Sequence, residues 1–134
     1  MRGAAAGAVA ALAWAVAEPP LGRLFGTPYS DVKLLGGLAA RGRARTAAGV
    51  AIHTANGAAF GWAFERFLGG GVRRGIAAAE TENALLWPVL VLMDRIHPER
   101  RSGAWPPLAA SPRVAAYELT THALFGAVLG ALTR

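Results

Sequence analysis

The chain has 134 residues, of which 54% are hydrophobic, and it carries a net charge of +6 with no cysteine. The length suits one domain, and the lack of cysteine excludes disulfides, thiolate metal sites and cysteine nucleophiles. Nucleic acid is not an expected partner, because the basic residues lie between apolar segments and form no readout motif or basic helix face.

The first apolar segment covers residues 3–21 and is rich in alanine. Pro19 and Pro20 lie near its end, and because proline lacks a backbone donor the helix is expected to end or kink there. A second interpretation is a cleaved signal peptide, since Arg2, the apolar run and Ala15-Val16-Ala17 match its three parts. We prefer a membrane-spanning helix, because the rest of the chain is equally apolar.

Three further apolar segments cover residues 46–68, 72–96 and 112–132. Each reaches the roughly 20 residues that cross a hydrocarbon core at 1.5 Å per residue. Ser111 is expected to cap the last helix, with Pro112 at its first position. The sequence therefore predicts an all-α protein, a four-transmembrane-helix bundle that forms a single domain over residues 1–134.

Two long connections separate these segments, at residues 18–45 and 97–111, and residues 33–40 are expected to form a short interfacial helix. Cytoplasmic loops carry an excess of Lys and Arg, so the basic side of the bundle is predicted to be cytoplasmic and both termini to lie outside. The side of the long loops holds Arg23, Lys33, Arg41, Arg43, Arg45, Arg95, Arg100, Arg101 and Arg113.

Polar and ionisable residues interrupt the apolar segments, namely His53, Asn56, Glu80, Glu82, Asn83, Glu118 and His122. Inserting an acidic residue at mid-helix costs about 2.5 to 3.5 kcal/mol, so these residues are expected to face the bundle interior and to find partners. Glu118 and His122 are spaced i, i+4 and share a helix face. Glu80 and Glu82 point about 160° apart, so only one of them is expected to face the resulting buried polar cluster.

Several functions are compatible with this cluster. It can bind or conduct a small ligand, an ion or a proton, or it can only fix the bundle through hydrogen bonds. His53, Glu118 and His122 also have the ligand types of a metal site, which would make the protein a membrane metalloenzyme. Binding, transport or structure is expected before catalysis. A soluble helical bundle is the remaining alternative.

The cofactor stays open at this stage, and the expected partners are membrane lipids and other copies of the chain. A divalent metal suits the ligand types, whereas haem ligation by the two histidines has no further support. Glycines four residues apart let helix backbones approach closely in a membrane, either within one chain or in a homo-oligomer. Such pairs occur at Gly3/Gly7, Gly57/Gly61 and Gly126/Gly130.

Short motifs spread over most of the chain carry a family resemblance. They are Glu18-Pro19-Pro20 before a long loop, Ile52-His53 with Phe60, Arg74-Gly75, Trp105-Pro106-Pro107, and Glu118 to His122. Together they resemble the YagU-like family of small bacterial inner-membrane proteins of unknown function, although Trp87-Pro88 departs from its pattern. The resemblance implies a multi-pass protein of the bacterial inner membrane and implies no reaction.

Overall fold

The computed structural model describes residues 2–134, and that part of the chain is all-α. The helices are α1 (Arg2–Phe25), α2 (Asp31–Ala39), α3 (Ala44–Leu68), α4 (Val72–Ile96), α5 (Pro98–Arg101) and α6 (Pro112–Leu132). The long helices α1, α3, α4 and α6 match the four predicted segments, and α4 and α6 have the predicted bounds. By length and composition, α1 and α4 are candidate membrane spans. The all-α prediction is confirmed, and the prediction of four spans is not.

α1 is longer than predicted, because it continues through Pro19 and Pro20 to Phe25. Each proline removes a backbone N–H and leaves a carbonyl without its partner one turn earlier. Both prolines are exposed, so they do not disturb the packed face of the helix. Beyond them, Leu21 and Phe25 pack on a buried cluster that includes Tyr29, Trp105 and Tyr117. Of the end or kink expected at the prolines, the end does not occur, because this packing holds the last turns in the helix.

The long helices lie in the spatial order α3, α1, α6, α4. α1 and α6 occupy the centre, α3 packs on the outer side of α1, and α4 packs on the outer side of α6. α3 and α4 make few contacts with each other, although they are consecutive in the chain. This order leaves a cleft between α3 and α4, with α1 and α6 as its floor.

Glycine pairs form the closest helix contacts. A Cβ on Gly7 would collide with the backbone carbonyl of Gly57, and a Cβ on Gly126 would collide with that of Gly75. The predicted close approach at the glycine pairs is therefore confirmed. Gly3 and Gly7 face Gly57 and Gly61, and Gly126 and Gly130 face Gly71 and Gly75. Within the single chain these faces cover one another, and the homo-oligomer through them stays a prediction.

The two long connections are folded over one end of the bundle rather than extended. The short helix predicted near residues 33–40 is present as α2, which packs on α3. Asp94, at the end of α4, accepts hydrogen bonds from the backbone N–H groups of Leu108 at 2.7 Å and Ala109 at 3.1 Å. Ser111 caps α6 as predicted, by accepting from the N–H of Val114.

Contacts between the two connections hold this end together. Arg45 and Glu99 form an ion pair at 2.7 Å that links α3 to α5. The imidazole of His97 is stacked on Trp105, with ring centroids 4.6 Å apart, and its Nε2 lies 3.2 Å from the carbonyl oxygen of Leu34 in α2. These contacts keep α2 seated against the end of the cleft.

Candidate functional site

A cavity of about 210 Å³ lies in the cleft between α3 and α4. α1 and α6 line its floor, and α2 lines one end through Asp31, Leu34 and Leu35. Most of the lining is apolar. The predicted polar residues that line the cavity are His53, Asn56, Glu82, Asn83, Glu118 and His122. The structure therefore brings together six of the seven residues predicted from the sequence.

Glu80 is the predicted residue that does not line the cavity. Its Oε2 accepts a hydrogen bond from the Nδ2 of Asn83 at 3.4 Å. Glu82 lines the cavity instead, in agreement with the angle that separates the two glutamates on a helix. Asn83 is buried, whereas Asn56 is exposed at the rim.

Trp14 connects the two histidines of the cavity. Its indole ring is edge-on to both imidazoles, with centroid distances of 4.9 Å to His53 and 4.5 Å to His122. α1 packs against both helices that carry these histidines, α3 and α6, and it places Trp14 against both rings.

Glu118 and His122 form a buried pair on α6, as their spacing predicted. The Nδ1 of His122 lies 2.8 Å from the backbone carbonyl oxygen of Glu118 and 3.3 Å from its Oε2. Both neighbours are acceptors, so the proton of a neutral imidazole belongs on Nδ1 and leaves Nε2 as an acceptor. Glu118 and His122 are 3% and 7% exposed, so water competes little for this contact.

A second polar group lies where α1 meets the start of α2, and the sequence did not predict it. The carboxylate of Glu18 accepts hydrogen bonds from the backbone N–H groups of Asp31 at 2.8 Å and Val32 at 3.2 Å, and from the hydroxyl of Ser30. It thereby satisfies N–H groups that a helix start leaves without partners. The Tyr29 hydroxyl donates to Oδ1 of Asp31 at 2.9 Å. This network fixes Asp31 at the end of the cavity.

Trp14, Glu18 and Asp31 are residues of the site that sequence reasoning missed. Trp14 lies in an alanine-rich stretch that indicates only a membrane span, and Asp31 lies in the connection between two predicted spans. The available signal was that Asp31 is the only acidic residue in the basic stretch 19–45. Ser30 before it is also a typical helix cap.

Burial raises the pKa of Asp31 well above its usual range, and the negative charges of Glu118 and Glu18 raise it further. A carboxyl group in this environment retains its proton at a pH where an exposed aspartate is ionised. The groups that face it are Glu18 from α1, Glu118 from α6, and Tyr29, whose hydroxyl is its one hydrogen-bond donor from a side chain.

We expect the folded protein to lose stability as the pH rises from about 4, the usual aspartate pKa, towards the raised pKa of Asp31. In that range the folded state binds more protons than the unfolded state. The free energy of unfolding therefore falls as the pH rises, by up to about 1.4 kcal/mol per pH unit. Asp31→Asn should flatten this dependence. Unfolding curves of both proteins at several pH values measure it, and equal slopes would contradict the assignment to Asp31.

Five buried side-chain atoms find no hydrogen-bond partner within residues 2–134, namely Trp14 Nε1, Asp31 Oδ2, His53 Nε2, Tyr117 OH and Glu118 Oε1. Four of them belong to residues that line the cavity. An unpaired buried polar atom costs about 1 to 3 kcal/mol, and most buried polar atoms are therefore paired. Those at the cavity are available to polar groups from outside the chain, including water.

The structure does not assemble the predicted metal site. Over the described range, no group of three or more His, Cys, Asp or Glu side chains is placed to hold a metal ion. His122 contacts Glu118, but His53 contacts Trp14 in the adjacent helix. The ligand types of His53, Glu118 and His122 are thus present without the arrangement that a divalent metal requires.

No known protein family, curated protein or solved structure matches this chain. The resemblance to the YagU-like family therefore stays a prediction, and functional inference starts from the geometry of the cavity.

Proposed function

We propose that this is a multi-pass membrane protein that binds a small polar or charged solute in the cavity between α3 and α4. The observation that carries the proposal is the group of unpaired buried atoms at the cavity, on Trp14, Asp31, His53 and Glu118. A polar solute would supply the hydrogen bonds that these atoms lack. A purely structural cluster would instead be expected to pair its buried groups with one another.

The distribution of basic residues supports a membrane location. A stretch of 20 residues without Lys or Arg runs along each of the four long helices, at residues 3–22, 46–65, 75–94 and 114–133, and the last of these extends one residue beyond α6. At 1.5 Å per residue, 20 helical residues match the roughly 30 Å of a hydrocarbon core. All basic residues therefore lie at the two ends of the bundle, where lipid head groups would meet them. A soluble bundle would be expected to carry Lys and Arg along its exposed helix faces as well.

The exposed surface supports the same location. Val16, Leu24, Phe67 and Leu85 are between 71% and 77% exposed. In the 18-residue apolar stretch of α4, only 22% of the residues are buried. Packing against the other helices therefore does not explain why this helix is apolar. α4 keeps this exposed apolar surface although Glu82 and Asn83 face the cavity from the same helix. Such a helix suits a position between lipid on one side and a polar site on the other.

The lining of the cavity favours binding over catalysis. It combines carboxyl groups, imidazoles, an indole N–H and amides with apolar walls, which is the usual composition of a small-molecule site. In the described chain, no Ser, Thr or Cys lines the cavity, so no serine, threonine or cysteine nucleophile is held beside its histidines. Because α3 and α4 make few contacts, the space between them is the natural entrance for a solute.

Single cysteines test the membrane location and the access to the cavity, since the chain has none of its own. Asn56→Cys places a thiol at the rim of the cavity, and Leu85→Cys places one on a 73% exposed position outside the lining. In native membranes, N-ethylmaleimide should modify Asn56→Cys at least about tenfold faster, because thiolate forms where water reaches and not in lipid.

Two results would contradict the proposal. Equal and slow modification at both positions would mean that water and solutes do not enter the cavity. Equal and fast modification, together with recovery of a monodisperse protein without detergent, would mean that Leu85 faces water and that the protein is a soluble helical bundle.

A further inference from the structure

We propose that the solute is a small organic cation, with a protonated amine held by Asp31 and Glu118 and an apolar body about the size of one aromatic ring. This inference rests on the proposed binding function and names the chemical class of its ligand.

The acidic groups at the cavity have no basic partner of fixed charge. Asp31, Glu82 and Glu118 line it, and Glu18 lies beside Asp31. In the described residues, the ion pairs made by arginine engage Glu99 and Asp94, both at the ends of the bundle. The only ion-pair partner at the cavity is the imidazole of His122, next to Glu118. Buried carboxylates without a counter-charge are costly, so this site favours a cation over a neutral or anionic solute.

Each of the two central carboxyl groups has one oxygen engaged and one unpaired. Oδ1 of Asp31 accepts from the Tyr29 hydroxyl, and Oδ2 has no partner. Oε2 of Glu118 lies 3.3 Å from His122, and Oε1 has no partner, although the residue is only 3% exposed. An ammonium group has three donors and no acceptor. It can therefore pair with both unpaired oxygens, which a hydroxyl group with a single donor cannot, and the carboxyl group of Asp31 releases its proton to solvent when the cation takes its place.

The walls of the cavity suit an organic cation better than a metal ion. Aromatic rings of Trp14, Tyr29, Phe60, Trp87 and Phe125 line it. Aromatic faces attract cations, particularly where water is excluded, and they also contact apolar groups well. A hard metal ion would need six or more oxygen ligands, which these walls do not supply. A cavity of about 150 Å³ holds benzene. The present volume of about 210 Å³ therefore accommodates one ring with a short amine.

Three probes with one skeleton and different charge test the inference. They are phenethylammonium, the neutral 2-phenylethanol and the anionic phenylacetate, each titrated calorimetrically into the detergent-purified full chain. We expect phenethylammonium to bind at least tenfold more tightly than 2-phenylethanol, and phenylacetate to bind most weakly. Asp31→Asn and Glu118→Gln keep the side-chain size and should each weaken the binding of phenethylammonium at least tenfold.

Glu80→Gln is the matched control, because Glu80 lies on α4 near the cavity but does not line it. It should leave the binding of all three probes unchanged. The comparison of the three probes on the unaltered protein needs no variant, so it decides the inference even where Asp31→Asn or Glu118→Gln fails to fold.

The outcomes separate this inference from the proposed function. Equal affinity for the cation and the alcohol would overturn the cation assignment and leave solute binding in place. Binding of none of the probes, with fast modification of Asn56→Cys, would also overturn the cation assignment alone. Binding of none of them, with Asn56→Cys as slow as Leu85→Cys, would overturn both.

Discussion

Gly7→Ala is expected to destabilise the folded protein by at least about 2 kcal/mol, because the added methyl group has no space between α1 and α3. A Cβ at this position would collide with the backbone carbonyl of Gly57, and a backbone atom cannot rotate away as a side chain can. The helices must separate instead, which loses contacts along their whole interface. Gly126→Ala should have a similar effect, since its Cβ meets the carbonyl of Gly75 in α4.

Ala5→Val serves as the control for Gly7→Ala. It adds two carbon atoms to α1 only two residues away, at an exposed position. Its effect should stay within about 0.5 kcal/mol, as is usual for surface substitutions. Denaturant unfolding of the detergent-purified proteins measures all three variants. A Gly7→Ala protein as stable as Ala5→Val would show that α1 and α3 do not meet at these glycines.

The helix bounds were largely predictable, because local signals mark them. Three glycines at residues 69–71 end α3 and precede α4, and Ser111 with Pro112 fixes the start of α6. The end of α1 was not predictable, since it depends on the packing of Leu21 and Phe25 on residues distant in sequence. Local proline chemistry favours an earlier end, and tertiary contacts outweigh it.

The order of the helices could not be read from the sequence with the same certainty. Three glycine pairs were recognised, but each pair shows only that some close contact exists. The partner of the pair in α6 is Gly71 with Gly75, and Gly71 belongs to the glycine run that separates α3 from α4. The matching glycine faces pair α3 with α1 and α6 with α4. The packing of α1 on α6 completes the order α3, α1, α6, α4, and nothing in the apolar pattern predicts that packing.

The polar residues of the cavity were predictable because charge in an apolar helix is costly wherever the helix lies. That argument identifies residues such as His53 and Glu118 without knowledge of the fold. It cannot identify Trp14, which is apolar enough for any position in a span, or Asp31, which is acidic but lies outside the spans. Both enter the site through the arrangement of helices, so only the three-dimensional structure reveals them.

Trp14→Ala is expected to cause a loss of about 3 to 5 kcal/mol in the free energy of unfolding, the usual range for a buried tryptophan. Trp14 is 5% exposed, and its ring contacts Phe125 as well as the two histidines. Removing it would leave a void at the centre of the bundle. Trp62→Ala is the matched control, because Trp62 is 55% exposed on α3 and should contribute far less.

The same variant tests whether His53 and His122 are coupled through Trp14. With Trp14 present, the effects of His53→Ala and His122→Ala should not add, because both residues contact the same ring. In the Trp14→Ala background their effects should add to within about 0.5 kcal/mol, as for independent sites. Unfolding of the two single and the double histidine variants in both backgrounds gives the coupling energies. An undiminished coupling without Trp14 would mean that the imidazoles interact directly or through another group, and that the indole is not the link between them.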